Sequence, residues 1–391
     1  MASKNIALRY PKIEFAMPIM DSIMEMELLR YKVLRGHTIP PVFYQIKHIF
    51  QILESIGSSR IEGNNTTVMD YVESTKIEQP SDETLFEDQE SIREINNIEK
   101  AMRYIEENIN SITINHMFIR ELHALTVDGL SSTREGSSTP GQYRNCNVRI
   151  HKSQHVPPEY IRVPELMDEL LNFVNQDVLK KYDLLKIALA HHRFVWIHPF
   201  SNGNGRVVRL FTYALLLKFV FTSNNRIINP VAVFCSNRDL YYDKLARADT
   251  GTDAGYIEWT EYMLNGLRSE IEKIDKIGDY DYLSHNVLQP MIQDALNHQY
   301  ITSDEYRILE TVIVSERQVI QAADIKPLFP DKTASDVSRQ IRQLVDKKML
   351  MPIQENARKY HLAFNNSYLL RSILRVLDRE GFLPQTTSTE E

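Results

Sequence analysis

The chain has 391 residues, 43% of them hydrophobic, and carries a formal net charge of -7. That length is enough for a large core plus an accessory domain, and the acidic balance supplies no general attraction to nucleic acid or to an anionic membrane. No uninterrupted apolar span reaches transmembrane length, Met1–Tyr10 leads into no secretory apolar core, and Cys146 and Cys235 are too few for a disulfide framework, so a cytoplasmic protein with no membrane association is expected.

Residues 1–95 read as a helical region wrapping a core. Within it, Ser58-Ser59-Arg60-Ile61-Glu62-Gly63-Asn64 puts Ser58 and Glu62 one helical turn apart, and Gly63-Asn64 gives the helix a natural stop. Such a helix end also occurs with no function attached. Ser74–Asp88 is polar, proline-containing and acidic, which predicts a loop. Ile119–Val127 and Val163–Val174 carry apolar residues at mixed three- and four-residue spacings and read as core helices. Between them, Gly141–Ile150 is followed by His155-Val156-Pro157-Pro158; Tyr143, Val148 and Ile150 predict a short extended segment that the prolines keep from becoming helix. Leu184–Phe194 reads as another helix. Its His191 and His192 lack a convincing set of nearby metal ligands and are assigned to packing or hydrogen bonding.

That helix runs into His198-Pro199-Phe200-Ser201-Asn202-Gly203-Asn204-Gly205-Arg206-Val207-Val208-Arg209. Gly203 and Gly205 permit backbone angles at which successive N–H groups converge on one anion. The apolar run from Val207 to Leu216 predicts a helix starting just after the glycines, so the loop empties onto a helix N-terminus that favours phosphate. Arg206 and Arg209, three residues apart, can hold different oxygens of a polyphosphate. His198, with an ordinary pKa of about 6.5, can take a proton from a hydroxyl near neutral pH.

Asn237–Leu245 opens a further helix. A boundary is expected near Ile277–Ser284, where Gly278, Asp279, Asp281 and Ser284 interrupt the apolar pattern, giving regions 1–95, 96–276, 277–380 and a flexible tail 381–391. Beyond it, Asp304–Val314, Glu316–Ile325 and Thr333–Lys347 are predicted as helices, with Leu350–Ile353 and Arg358–Phe364 as two strands. This arrangement resembles a winged helix-turn-helix domain. Arg339, Arg342 and Gln343 would be exposed on its third helix, with Lys347, Lys348, Arg358 and Lys359 nearby, so weak DNA binding and a protein-docking role both stay open.

The 198–209 run resembles the signature of the Fic family: His, any residue, Phe, any residue, Asp or Glu, then Gly-Asn-Gly-Arg, two residues and Arg. The resemblance implies a mainly helical catalytic core with a small β-hairpin flap, and transfer of AMP from ATP to a hydroxyl of a protein, with Mg²⁺. It would make His198 the general base, Phe200 a core anchor, Gly203, Asn204 and Gly205 the phosphate cradle, and Arg206 and Arg209 ligands of the nucleotide. Tyr241 or Tyr242 would approach the base, although adjacent tyrosines also serve as core packing. Gly141–Ile150 looks like the flap on which a protein substrate, either another protein or this one itself, would dock; an edge ribbon with no such role is the other reading. Ser58 with Glu62 and Gly63 resembles the family's inhibitory motif, in which the Glu faces the second arginine, here Arg209. The departure is Asn202, which stands where an acidic residue would hold Mg²⁺; its amide oxygen can ligate a hard cation but lacks the charge.

Two functions follow. One is a protein adenylyltransferase held in check by Glu62, acting on a Ser, Thr or Tyr hydroxyl and releasing pyrophosphate. The other is a nucleotide-responsive or DNA-binding regulator that keeps the phosphate cradle without the transfer. A homodimer is compatible with either.

Overall fold

A computed structural model describes residues 6–32, 38–74, 85–150, 153–221, 227–364 and 367–383. Among them the fold is mainly α with one small sheet. In chain order the helices are α1 (Pro18–Tyr31), α2 (Pro40–Glu62), α3 (Val68–Ser74), α4 (Leu85–Asn108), α5 (His116–Val127), α6 (Val163–Asn175), α7 (Asp183–Ile197), α8 (Asn204–Leu215), α9 (Pro230–Ser236), α10 (Arg238–Ala248), α11 (Asp253–Gly278), α12 (Tyr280–Leu283), α13 (Gln289–Asn297), α14 (Ser303–Val314), α15 (Ala322–Ile325), α16 (Ala334–Asp346) and α17 (Ser367–Arg379). Three strands, β1 (Val319–Ile320), β2 (Leu350–Pro352) and β3 (Tyr360–Leu362), lie in the order β1-β3-β2.

The chain divides into two compact units that are not continuous in sequence. One comprises residues 1–33, 51–66 and 80–271; the other comprises 34–50, 67–79 and 272–391. In the first, α8 packs against α4, α5 and α7, and α6 packs on α7. These helices are apolar where they meet: Leu166, Met167, Leu170 and Leu171 line α6, and α7 is buried on nearly every face. α7 stops at His198, which is left-handed at φ 51°, because Pro199 cannot continue the helix and disfavours helical geometry in the residue before it. Asn115 starts α5 by accepting the Phe118 N–H through its side chain.

In the second unit, α13 packs on α14 and α17, and α3 packs on α17. Thr302 with Glu305, and Thr333 with Asp336, form reciprocal caps at the starts of α14 and α16. The sheet is antiparallel, pairing Val319 with His361 on one side of β3 and Met351 with His361 on the other. The first half of α2 belongs here: Gln45 Oε1 accepts from Phe364 N at 2.9 Å, and its Nε2 donates to Leu362 O at 3.1 Å.

Several expected boundaries move. Glu316–Ile325 is not one helix: Gln318 turns the chain at φ 55°, the β-branched pair Val319–Ile320 joins the sheet, and only Ala322–Ile325 is helical. The strands expected at 350–353 and 358–364 shorten to β2 and β3, joined by a turn with Asn356 at φ 61°. Of the loop expected at Ser74–Asp88, Ser74 ends α3 and Leu85–Asp88 opens α4, while 75–84 lie outside the described residues. At 277–284 the break narrows to Asp279, whose side chain caps α12 at once. No described helix is long and apolar enough to cross a membrane.

Candidate active site

The loop between α7 and α8 is fixed from inside. Asn204 Oδ1 accepts from Phe200 N and its Nδ2 donates to Phe200 O, both at 2.9 Å, so one amide side chain closes the turn in both directions. Gly203, at φ 74°, caps α8 in a conformation that costs a side-chain-bearing residue energy. Gly205 is required for a different reason: a Cβ there would lie 2.1 Å from Glu62 Oε1. The Glu62 carboxylate therefore sits directly on the first turn of α8, where free N–H groups and the helix dipole favour an anion.

Glu62 Oε1 accepts from Arg209 Nη2 at 2.7 Å, while Ser58 takes Arg209 Nε on its hydroxyl and Nη2 on its carbonyl, each at 2.9 Å. The spacing of Ser58 and Glu62 on α2 thus places two side-chain acceptors, with the Ser58 carbonyl as a third, toward a single guanidinium. Arg209 is fully buried and Glu62 keeps 26% of its side chain exposed. Burial opposes the charge on Glu62, but Arg209 and Arg206, with Arg238 behind them, outweigh it and hold the carboxyl below its usual range.

Arg206 is also engaged. Its Nη2 donates to the backbone carbonyl of Glu135 at 2.7 Å and to the Glu135 carboxylate at 2.8 Å, and its Nη1 lies 3.0 Å from Glu94 Oε1. Asn64 Nδ2 steadies Glu94 at 2.8 Å. Neither Glu94 nor Glu135 stood out in the sequence, because nothing in the spacing ties residue 94 or residue 135 to Arg206. Asn202 lies beside them: Nδ2 donates to Arg134 O at 2.7 Å and Gly136 O at 3.2 Å, and Oδ1 accepts from Gly203 N at 2.7 Å.

His198 is half-buried at the mouth of the loop. Burial pulls its pKa down to about 4, against the Val195 carbonyl and Glu62, which favour the charged ring, while Arg144 and His155 add to the depression. At neutral pH the ring is therefore uncharged and able to accept a proton.

The segment 141–150 contains no strand, which corrects the expected β-hairpin. Arg144 accounts for the difference: its Nε donates to His198 O at 2.9 Å, Nη1 to Cys146 O at 3.0 Å, and Nη2 to Pro158 O, while its backbone N donates to Pro199 O at 2.9 Å. One buried guanidinium thus ties the segment, at Cys146 O, to the carbonyls of Pro158 and His198. Behind the loop, His123 stacks on Phe200 with ring centroids 3.8 Å apart, and its Nδ1 accepts from Gly141 N at 2.9 Å.

Tyr241 is buried with its hydroxyl 2.9 Å from His191 Nε2, and His191 Nδ1 lies 2.8 Å from the Thr212 hydroxyl. Tyr242 is 43% exposed, with the Arg238 guanidinium 5.6 Å from its ring centroid, so of the two tyrosines it is the one open to a ligand. His192 pairs with Asp249 at 2.9 Å. Both histidines are engaged in hydrogen bonds, and among the described residues no three His, Cys, Asp or Glu side chains are grouped to hold a metal.

Residues 113–216 match the Fic/DOC family. The chain is 28% identical over 215 residues, 52% of its own length and 44% of the relative's, to "Protein adenylyltransferase Fic" of Nematostella vectensis. It is 31% identical over 163 residues, 40% of its length and 30% of the relative's, to the protein of that name in Aedes aegypti. The chain thus spans less than half of these curated relatives. The crystal structure of a Fic family protein from Desulfovibrio desulfuricans G20 shares the fold, with TM-score 0.55 at 20% identity, covering 91% of this chain and 98% of that one. A Fic domain containing signaling protein from Bacteroides thetaiotaomicron VPI-5482 matches with TM-score 0.51 at 17% identity, over 66% of this chain and 97% of that one. The matched residues span the loop, both arginines and His198, and over that region the chain is similar to the Fic/DOC family and related to known protein adenylyltransferases.

Proposed function

We propose that the protein is an auto-inhibited protein adenylyltransferase that moves AMP from ATP to a Ser, Thr or Tyr hydroxyl. The observation that carries this is the Glu62–Arg209 pair seated on the first turn of α8, a carboxylate occupying the anion site beside an uncharged His198. In the reaction, the target hydroxyl oxygen attacks the α-phosphorus, its proton passes to the His198 imidazole, and the bond to the pyrophosphate oxygen breaks. Arg206 and Arg209 would hold the phosphates of ATP after exchanging their carboxylate partners for them, and Gly203, Asn204 and Gly205 would supply the cradle. Tyr242 with Arg238 offers an exposed aromatic face for the base.

ATP and Mg²⁺ are what the family relationship implies, the metal neutralising phosphate charge. Asn202 does not fit as its ligand, since its oxygen accepts from Gly203 N and its nitrogen spans two carbonyls. That same observation favours, as a second reading, a nucleotide-responsive regulator with a weakened site. The segment 141–150 forms no ladder among the described residues, and addition of a target backbone is the docking mode it supports.

The order α14, β1, α15, α16, β2, β3 supports a winged helix-turn-helix reading of the tail. Arg339, Arg342, Gln343 and Lys348 are exposed on and just after α16, but Arg339 is bonded to Asp336 and Lys347 to Glu305, which weighs toward a protein partner over DNA phosphate.

The test is label transfer from α-labelled ATP with Mg²⁺ and lysate of the source cells, run for wild type and His198→Ala. Labelling abolished by His198→Ala, with ATP binding retained, supports the transferase. Equal labelling removes His198 as the base, and ATP binding without any labelling supports the regulator.

A further inference from the structure

We infer that Asn202 is a positioning residue and not a metal ligand: its amide holds the 131–136 turn so that Glu135 fills, on Arg206, the place of a phosphate oxygen. The inference rests on the nucleotide-binding reading above for what Glu135 displaces.

The amide identity matters. Gly203 N donates to the side-chain oxygen, which leaves the nitrogen facing Arg134 O and Gly136 O, the carbonyls on either side of Glu135. An Asp at 202 could keep the bond from Gly203 but would set a carboxylate oxygen against two carbonyls with no proton between them. The turn is closed by its own bonds, Arg134 N and Gly136 N both donating to Ser131 O, and is held to α4 by Ser131 N donating to Glu90 Oε1 at 2.6 Å. Asn202 ties this small turn to the phosphate loop through two carbonyls, beside the bonds of Arg206 to Glu135 and a 3.4 Å contact between the Ser137 and Ser201 hydroxyls.

The consequence falls on Arg206, which is 0% exposed. Its Nη2 is taken by the carbonyl and the carboxylate of Glu135, Nη1 is ion-paired with Glu94 at 3.0 Å, and Nε makes no hydrogen bond. An incoming phosphate must therefore displace Glu135 to reach Nη2. Glu135 on Arg206 and Glu62 on Arg209 are not equally held. Arg209 keeps the Glu62 carboxyl below its usual range, whereas burial, with Glu62 and Glu90 nearby, pushes Glu135 up despite Arg206. Glu135 keeps 40% of its side chain exposed against 26% for Glu62, and Ser58 helps hold the guanidinium that Glu62 binds, so Glu135 is the more readily displaced of the two.

Two measurements on the full-length chain test this without recourse to catalysis. In hydrogen exchange, Asn202→Asp speeds the amides of 131–136 by about tenfold while α5 and α7 exchange as in wild type. In calorimetry of ATP in EDTA, Glu135→Gln tightens binding by about tenfold, with the exchange of the turn unchanged and Arg206→Ala as the weakened control. Unchanged exchange in Asn202→Asp, or unchanged metal-free affinity in Glu135→Gln while Arg206→Ala weakens it, overturns the inference. Faster exchange in Asn202→Asp with no ATP binding by any of the proteins overturns the nucleotide reading and leaves Asn202 as the residue that holds the turn.

Discussion

Arg209 Nη2 and Glu62 Oε1 meet at 2.7 Å across 147 residues of sequence, with the Ser58 hydroxyl on the same guanidinium. The contact makes a buried charge depend on the last residue of a helix. Glu62→Gly removes the carboxylate from the anion site, and Arg209 then needs a new anion. Label transfer is expected to rise by about tenfold or more in Glu62→Gly, and to fall back when Arg209→Ala is added, because the released arginine is itself needed to orient phosphate. Thermal unfolding of Glu62→Gly without ATP should show a loss of about 1–3 kcal/mol from the unpaired guanidinium, recovered in part by nucleotide. No gain in transfer would remove the inhibitory role of Glu62.

Much of this site is readable in the sequence because its parts are local. Ser58 and Glu62 sit a turn apart, Gly203 and Gly205 mark the loop, and Arg206 and Arg209 share a helical face. What the sequence does not show is which carboxylates are close in space. Glu94 comes to Arg206 because α4 packs against α8, and Glu135 comes because an irregular turn folds back on the loop. Neither position has a periodicity that marks it. The extended character of 141–150 is legible from Tyr143, Val148 and Ile150, but its pairing is not, since Arg144 supplies hydrogen bonds that no propensity scale counts. The discontinuity of the second unit is likewise invisible, because α2 reads as one helix from Pro40 to Glu62 and nothing along it marks residue 50 as a boundary.

The pH dependence of transfer follows from His198. An ordinary histidine base would lose activity below about pH 6.5, whereas burial here brings the ring down to about 4. In the Glu62→Gly background the rate should therefore stay level from pH 7 to about 5 and fall only below that. The same shift bears on stability with a definite sign: the unfolded histidine binds its proton first, so the folded state loses stability as pH falls from about 6.5 toward 4. His198→Ala should flatten that acid limb in thermal unfolding, and a rate profile breaking near 6.5 would show that the ring is not depressed.

Arg144 should act on the rate through the backbone of His198. It binds the carbonyl of His198, a left-handed non-glycine residue, and, through its own N–H, the carbonyl of Pro199 in the next peptide. That geometry costs about 1–3 kcal/mol and persists only where neighbours enforce it. Arg144→Gln in the Glu62→Gly background is expected to lower kcat by about tenfold or more with little change in the KM for ATP. A change confined to KM would place Arg144 in nucleotide binding instead.

The second unit should depend on residues far from it in sequence. Gln45, 8% exposed, bonds to Leu362 O and Phe364 N with its two side-chain ends, and Phe50 stacks edge-on against Phe382 at 6.3 Å between ring centroids. Gln45→Ala leaves a buried N–H and a buried carbonyl without these partners, a loss of about 1–3 kcal/mol. A fragment starting at Ile277 would lack both 34–50 and 67–79, and with them the Arg371–Glu73 ion pair as well as the Gln45 bonds. Such a fragment should unfold at a markedly lower temperature than the corresponding transition of the full chain, because helix capping and the small sheet remain while part of the packed surface is exposed. Differential scanning calorimetry of the fragment, the full chain and Gln45→Ala decides the matter. A fragment as stable as the intact unit, together with an unshifted Gln45→Ala transition, would show that residues 277–391 fold without the first half of α2.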